Sequence, residues 1–253
     1  MTASLDARIG RATELARTYP NASEQLNFYR ELALFQKVIF DDVRSHGATD
    51  AGFLLTYFPA LLELARRTGP AALAEFGDRH LGSIDMQEQV LRACWEHGPV
   101  NDVTQETGRF FGRVLLQPYA EYLATRGDVQ TNGTPPLCPF CNARPVVAVL
   151  RGEGDGGKRS LLCSLCATEW QYRRVVCPSC GEENKDKLPI YVASEFEYVR
   201  VDACDSCQTY IKSVDLTKNG RAVPVVDEIA TVALNIWAEE HGYAKLEPNL
   251  LGM

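Results

Sequence analysis

The chain has 253 residues, of which 45% are hydrophobic, and it carries a formal net charge of −7 at pH 7. No run of 18 apolar residues occurs, so the composition predicts a globular protein that neither spans nor anchors to a membrane. The formal charges of residues 137–223 sum to +1, and those of the segments before and after them sum to −4 each. No segment is clearly basic, which argues against nucleic-acid binding. Five charged residues fall within the first 17 positions, where a signal segment would be apolar, and this predicts a cytoplasmic protein.

Apolar residues recur at helical spacing from Leu5 to about Arg126, and the pattern offers no convincing strand. Residues 1–128 are therefore predicted to form an all-α domain. Pro59 is expected to kink or divide its helix, and Pro118 to kink the last one. The predicted helices run from Ser23 to Ser45, Gly52 to Thr68, Pro70 to Leu81, Ile84 to His97, and Val103 to Thr125.

The ninth cysteine and the histidines of the chain do not form a catalytic pattern. Cys94 lies at helical spacing from Leu91, so it is interpreted as a small core residue. His46, His80 and His241 fall near predicted helix ends or turns, where solvation or capping is their common use. No catalytic residue is predicted.

A segment rich in Gly, Asn, Thr and Pro, residues 129–136, predicts a linker before a second domain at residues 137–223. Eight of the nine cysteines in the chain fall in this domain as four CxxC pairs, separated by 21, 10 and 23 residues. Two CxxC turns supply four thiolates to one tetrahedral ion, so this long-short-long spacing predicts two metal sites. The predicted ligands are Cys138, Cys141, Cys163 and Cys166 at site 1, and Cys177, Cys180, Cys204 and Cys207 at site 2.

Three other uses of these cysteines are less favoured. Disulfides are rare in a reducing cytoplasm. A thioredoxin-like CxxC normally opens a helix in an α/β context, which this segment lacks. A four-iron cluster requires three cysteines at closer spacing.

We call each CxxC turn a knuckle. Each half of the second domain is expected to consist of a knuckle, a strand, a turn, a second strand and a second knuckle, which gives tandem modules at 137–170 and 174–214. Asn142 and Gly181 follow two of the four CxxC pairs and suit the positive φ that aims amide groups at sulfur. Ala167 and Gln208 follow the other two pairs and do not suit it, which predicts two regular and two irregular knuckles. The predicted strands are 145–150, 160–162, 188–193 and 196–201, and 152–157 is predicted as a turn.

The last segment, residues 224–253, is predicted to contain one amphipathic helix from Val225 to about Gly242. Its apolar stripe needs a partner surface, so we expect this helix to tie the helical domain and the metal domain together. The stripe consists of Ile229, Val232, Ala233, Ile236 and Trp237.

Several motifs carry a family resemblance over roughly the last 115 residues. They are Cys138-Pro-Phe-Cys141 followed by Arg144-Pro-Val, Cys163-Ser-Leu-Cys166 followed by Thr168-Glu-Trp170, Arg174-Val-Val-Cys177-Pro-Ser-Cys180-Gly, Cys204-Asp-Ser-Cys207-Gln-Thr-Tyr210-Ile-Lys212, and the tail from Pro224 to Gly252. In these motifs the chain resembles the formate dehydrogenase accessory protein family (FdhE). In the first half of the chain the resemblance is limited to its helical character.

The resemblance implies a cytoplasmic maturation factor, not an enzyme, that binds the catalytic subunit of respiratory formate dehydrogenase before export. It also implies rubredoxin-like modules in which the eight cysteines hold two mononuclear iron ions, with zinc as the alternative. Two other functions stay open: a rubredoxin-like electron carrier or thiol-redox factor, and, less favoured by charge, a zinc-ribbon nucleic-acid binder. A weak homo-oligomer also stays open.

Overall fold

The structure is a computed structural model that describes residues 3–47, 50–97, 101, 105–127, 133–153 and 156–253. Its α-helices are α1 (Leu5–Thr18), α2 (Ser23–His46), α3 (Phe58–Thr68), α4 (Ala71–His80), α5 (Ile84–Trp95), α6 (Glu106–Arg126), α7 (Pro224–Ala230) and α8 (Val232–Glu240). Its strands are β1 (Pro145–Glu153), β2 (Gly156–Cys163), β3 (Glu169–Tyr172), β4 (Ile190–Val192), β5 (Val199–Cys204), β6 (Thr209–Asp215) and β7 (Ala244–Lys245). None of the helices in these residues is long and apolar enough to cross a membrane.

The all-α character predicted for the first half is confirmed, with one helix divided. Ala51–Tyr57 forms a 3₁₀ helix instead of the first part of an α-helix. Pro59 lies in the first turn of α3, where its missing N–H costs no hydrogen bond. Pro118 lies inside α6, which continues through it to Arg126.

Some boundary predictions cannot be compared with the structure. The predicted helix start at Val103, residues 129–132 of the predicted linker, and residues 154–155 of the predicted turn all lie outside the described residues. The helix end predicted at Ser45, by contrast, is confirmed to within one residue: α2 ends at His46, and Gly47 caps it with a φ of 63°.

Helix α6 forms the centre of the helical domain, packed against α2 and α5. A Cβ atom at Gly112 would lie 2.5 Å from the Cys94 Sγ, so glycine allows α5 and α6 to approach this closely. Cys94 is buried, and burial raises its pKa to about 11. The interpretation of Cys94 as a core residue is confirmed.

The second half folds into one continuous sheet with the strand order β3-β2-β1-β6-β5-β4, and β7 pairs with β6. Strands β1 and β6 run parallel, and this pairing joins the two cysteine-bearing halves. The strand predicted at 196–201 is displaced, because Ser194–Phe196 forms a 3₁₀ turn and β5 begins only at Val199. The modules predicted in tandem at 137–170 and 174–214 therefore share one sheet.

The single helix predicted from Val225 to Gly242 is wrong, because the chain breaks at Thr231 into α7 and α8. Lys212, fully buried on β6, donates from Nζ to Glu228 O at 2.6 Å and to Thr231 O at 3.2 Å. These carbonyl groups lie at the break, where helical hydrogen bonds stop. The predicted apolar stripe is correspondingly divided: Ile229 is buried, whereas Ile236 is 54% exposed.

The C-terminal segment connects the helical domain to the sheet, as expected. Asp227 at the start of α7 is completely buried and accepts from Arg11 of α1 at 2.5 Å, from Tyr198 at 2.8 Å and from the Val223 N–H at 2.7 Å. Glu228 beside it accepts from Lys212 at 2.8 Å. These buried ion pairs fix α7 against both the helices and the sheet.

Candidate metal centre

The structure brings the eight CxxC cysteines together in two groups of four, in the pairing that their spacing predicts. Within each group the four Sγ atoms all lie within 4.8 Å of one another. All nine cysteines of the chain lie in the described residues and are free thiols. The groups are site 1, made by Cys138, Cys141, Cys163 and Cys166, and site 2, made by Cys177, Cys180, Cys204 and Cys207.

The sulfur distances fit a single tetrahedral ion at each site. At site 1 the Sγ atoms of Cys141 and Cys163 are 3.4 Å apart, and at site 2 those of Cys180 and Cys204 are 3.7 Å apart. A tetrahedral ion with metal–sulfur bonds of about 2.3 Å requires sulfurs about 3.8 Å apart. A disulfide would require about 2.05 Å. Each four-cysteine cluster could therefore hold a metal ion.

All four knuckles have the same backbone conformation, so the prediction of two irregular knuckles is wrong. Asn142, Gly181, Ala167 and Gln208 have φ values of 62°, 78°, 53° and 54°. Positive φ is uncommon for alanine and glutamine. The turn geometry set by the two thiols therefore overrides the local preference of the residue that follows them.

Backbone hydrogen bonds close the knuckles around their sulfurs. The N–H of Asn142 donates to Cys138 O at 2.9 Å, and the N–H of Gln208 donates to Cys204 O at 2.8 Å. At site 1 the backbone N–H groups of Leu165 and Cys166 also point at Cys163 Sγ, at 3.3 and 3.4 Å. Such amide groups stabilise thiolate charge.

A threonine hydroxyl group contacts one sulfur at each site, although neither threonine is among the predicted site residues. Thr168 Oγ1 lies 3.1 Å from Cys166 Sγ, and Thr209 Oγ1 lies 3.0 Å from Cys207 Sγ. Burial raises the pKa of Cys207, but the Thr209 hydroxyl and the neighbouring thiols outweigh it and lower the value to about 7. The signal that could have revealed the pair is a threonine two residues after the last cysteine of each site.

The two sites differ in how far they are buried. At site 1 three of the four cysteines are buried and Cys141 is partly exposed. At site 2 Cys180 is exposed and Cys207 is partly exposed. Site 1 is thus enclosed, whereas site 2 lies at the protein surface.

The helical domain contacts site 1 directly. His97 Nε2 lies 3.0 Å from Cys141 O, and Gln117 Nε2 donates to Ser164 O at 2.8 Å. Gln36 holds Gln117 through a further hydrogen bond of 2.9 Å. The His97 ring therefore contacts the Cys138–Cys141 turn through the carbonyl group of Cys141, and His97 does not belong to either group of clustered ligands.

The fold and the two clusters together define a class: a helical domain packed on a mixed sheet that carries two four-cysteine sites. The family model described as FdhE, central domain, matches residues 137–174, and the one described as FdhE, C-terminal domain, matches residues 163–251. A protein FdhE homolog from Aquifex aeolicus is 34% identical over 202 residues, which cover 78% of this chain and 70% of that protein. The chain belongs to the FdhE family.

Other relatives agree with this assignment. A protein FdhE homolog from Pseudomonas aeruginosa is 34% identical over 152 residues, which cover 56% of this chain and 48% of that protein. The crystal structure of the FdhE protein from Pseudomonas aeruginosa matches with a TM-score of 0.78 at 25% identity. That match covers 98% of this chain and 95% of the other, so the fold extends over the helical domain as well as the sheet.

Proposed function

We propose that this protein is a cytoplasmic accessory factor for formate dehydrogenase that binds the catalytic subunit of that enzyme during assembly, before export. It catalyses no reaction of its own in this role. The observation that carries the proposal is membership of the FdhE family together with two preorganised four-cysteine clusters on one continuous sheet. A surface used for recognition has to be rigid, and metal ions in the two clusters would make the surface around them rigid.

The buried charges support this role. Arg11 with Asp227, and Lys212 with Glu228, pair across the junctions between helices and sheet. Because their hydrogen bonds hold elements together, they are not available as acids or bases for a substrate. The helices and the sheet can thus present one continuous surface to a client.

We further propose that the eight cysteines each ligate a metal and that each cluster holds one iron ion. Four thiolates suit zinc equally well, so the preference for iron rests on the family resemblance to rubredoxin-type sites and not on distances. Metal binding would supply part of the folding free energy of the sheet, since such small modules rarely hold together by their core alone.

One observation favours a second function. Cys180 is exposed at site 2, so an iron ion there would lie close enough to the surface to exchange electrons with a docked partner. The sheet would then serve as an electron carrier in the manner of a rubredoxin. Stoichiometric oxidation of the ferrous protein by the client would support this alternative, and a zinc-filled site 2 in the native protein would remove it.

Co-purification with the catalytic subunit tests the proposed function. Substitutions Cys141→Ser and Cys180→Ser should each remove one metal ion and reduce client recovery, because each disorders the surface around its own site. Cys94→Ala is the matched control, since it removes a cysteine that lies in the helical core. Client recovery that is unchanged after loss of both ions would assign recognition to the helical domain instead.

A further inference from the structure

Strand β4 forms one edge of the sheet and, among the described residues, pairs only with β5. The N–H of Ala203 donates to Pro189 O at 3.0 Å, and hydrogen-bonded positions alternate along an antiparallel ladder. The N–H and C=O groups of Ile190 and Val192 therefore face away from β5. No hydrogen bond to these groups occurs within the part of the chain that the structure describes, so they form a short strand edge.

The same two residues expose aliphatic side chains. Ile190 is 53% exposed and Val192 is 71% exposed. Tyr191 between them points to the opposite face, where its ring packs on Trp237 at 4.6 Å. Strand β4 is short and follows Pro189, which limits non-specific pairing, but its two exposed aliphatic residues still indicate an interaction surface for a short segment.

A cavity of about 130 Å³ adjoins this edge and lies beside Cys177 and Cys204 of site 2. Ile190 lines it together with another exposed aliphatic residue, Val175. The cavity is also lined by three cationic side chains and one carboxylate. Its lining is therefore positively charged, although the whole chain has a net charge of −7. These charged residues are Arg159, Arg174, Lys185 and Asp202.

Arg159 is the buried cation of this cavity, at 3% exposure. Its Nη1 donates to Arg173 O at 3.2 Å and to Val176 O at 3.1 Å. Its Nη2 lies 3.4 Å from the carboxylate of Asp202, which is held at 2.8 Å by Arg200. Its Nε has no hydrogen-bond partner among the described residues. The Tyr172 ring, whose centroid lies 5.7 Å from the Arg159 Cζ, compensates the charge in part, which leaves the guanidinium group with one long ion pair and one unused donor.

We propose that the β4 edge and this cavity bind an extended acidic segment of a protein partner. The segment would add a strand beside β4 through its backbone and place an Asp or Glu carboxylate against Arg159 and the cationic rim. Alternate side chains of an added strand point to one face, so one of them reaches the face that carries Ile190. The proposal rests on the proposed function only in taking this segment from the formate dehydrogenase catalytic subunit.

Nuclear magnetic resonance on the zinc-loaded full chain tests the site without the client. The probes are the blocked peptide Val-Glu-Val-Glu-Val, its glutamine analogue Val-Gln-Val-Gln-Val, and free acetate. We expect the acidic peptide to shift the amide signals of Ile190 and Val192 and the Nε–H signal of Arg159, and to bind at least tenfold more tightly than the analogue. Equal binding of the two peptides, or an Arg159 signal that does not move at saturation, would overturn the proposal, as would acetate matching the acidic peptide.

Exposed positions provide matched variants that do not threaten the fold. Val192→Glu should weaken binding of the acidic peptide at least tenfold, whereas Ile236→Glu, at a 54% exposed position on α8, should leave it unchanged. Both variants should keep both metal ions. Equal effects of the two variants would refute the edge as the binding site. Sedimentation tests whether a second copy of the chain occupies the edge instead. If the unsubstituted chain sediments as a dimer and the Val192→Glu variant as a monomer, the occupant is a second copy and the proposal is overturned.

Co-purification separates this inference from the proposed function. Loss of the client with Val192→Glu but not with Ile236→Glu supports both. Client recovery that is unaffected by Val192→Glu refutes the docking site and leaves the proposed function intact. Binding of the acidic peptide without any client binding to the unsubstituted chain supports the site and refutes the source of the segment.

Discussion

Replacing Asp227 with alanine tests whether the C-terminal segment locks the helical domain to the sheet. The Asp227 side chain is 0% exposed and that of Arg11 is 5% exposed. Removing the carboxylate leaves the buried guanidinium with only the partly exposed Glu14 as a counter-ion, at 2.8 Å, and also takes an acceptor from the Tyr198 hydroxyl and from the Val223 N–H. Breaking one side of a buried ion pair costs about 3–5 kcal/mol. For a protein of this size such a loss lowers the melting temperature by roughly 10 °C.

Thermal unfolding followed by circular dichroism, at equal metal content, measures this effect. Asp78→Ala is the matched control, because Asp78 pairs with Arg66 at the surface and is 55% exposed. Exposed pairs contribute little because solvent screens them. We expect Asp78→Ala to leave the melting temperature almost unchanged. If Asp227→Ala lowers the melting temperature no more than Asp78→Ala does, the locking role of Asp227 is refuted.

Three further outcomes are expected. A chelator or thiol reagent should empty site 2 before site 1, because Cys180 is exposed; simultaneous loss of both ions in mass spectrometry would contradict this. Gly112→Ala should lower the free energy of unfolding by about 1–3 kcal/mol in urea titrations, because the new methyl group collides with Cys94; an unchanged midpoint would refute the close approach. Burial raises the pKa of Glu228, but Lys212 and Lys245 outweigh it and lower the value from 4.5 to about 2, so the carboxylate contributes stability above pH 4.5 that disappears as the pH falls toward 2. Glu228→Gln should flatten that part of the stability–pH profile, and an unchanged slope would contradict the assignment.

The cysteine clusters could be predicted from the sequence because their signal is local. Two residues between cysteines fix each turn, and the spacing between turns pairs them, so the eight residues of both groups followed without any knowledge of the fold. The knuckle conformation did not follow. Ala167 and Gln208 adopt positive φ because the closing hydrogen bonds and the converging sulfurs impose it.

Long-range pairing was the part that the sequence could not supply. The parallel contact of β1 with β6 joins residues more than 60 positions apart, with Ala148 opposite Ser213, and no local pattern announces it. The break at Thr231 depends in the same way on Lys212, a charged residue that a sequence reader places at the surface. Buried charge pairs of this kind become visible only when the strands and helices are already in place.

The metal content of the protein, measured by mass spectrometry after purification without air, tests the central claim most directly. The account predicts two metal ions per chain, both iron, with the red colour of ferric tetrathiolate that bleaches on reduction. Two zinc ions in a colourless protein would contradict the iron assignment and leave the two sites standing. One ion per chain, or eight thiols that all react in the native protein, would contradict the two-site account itself.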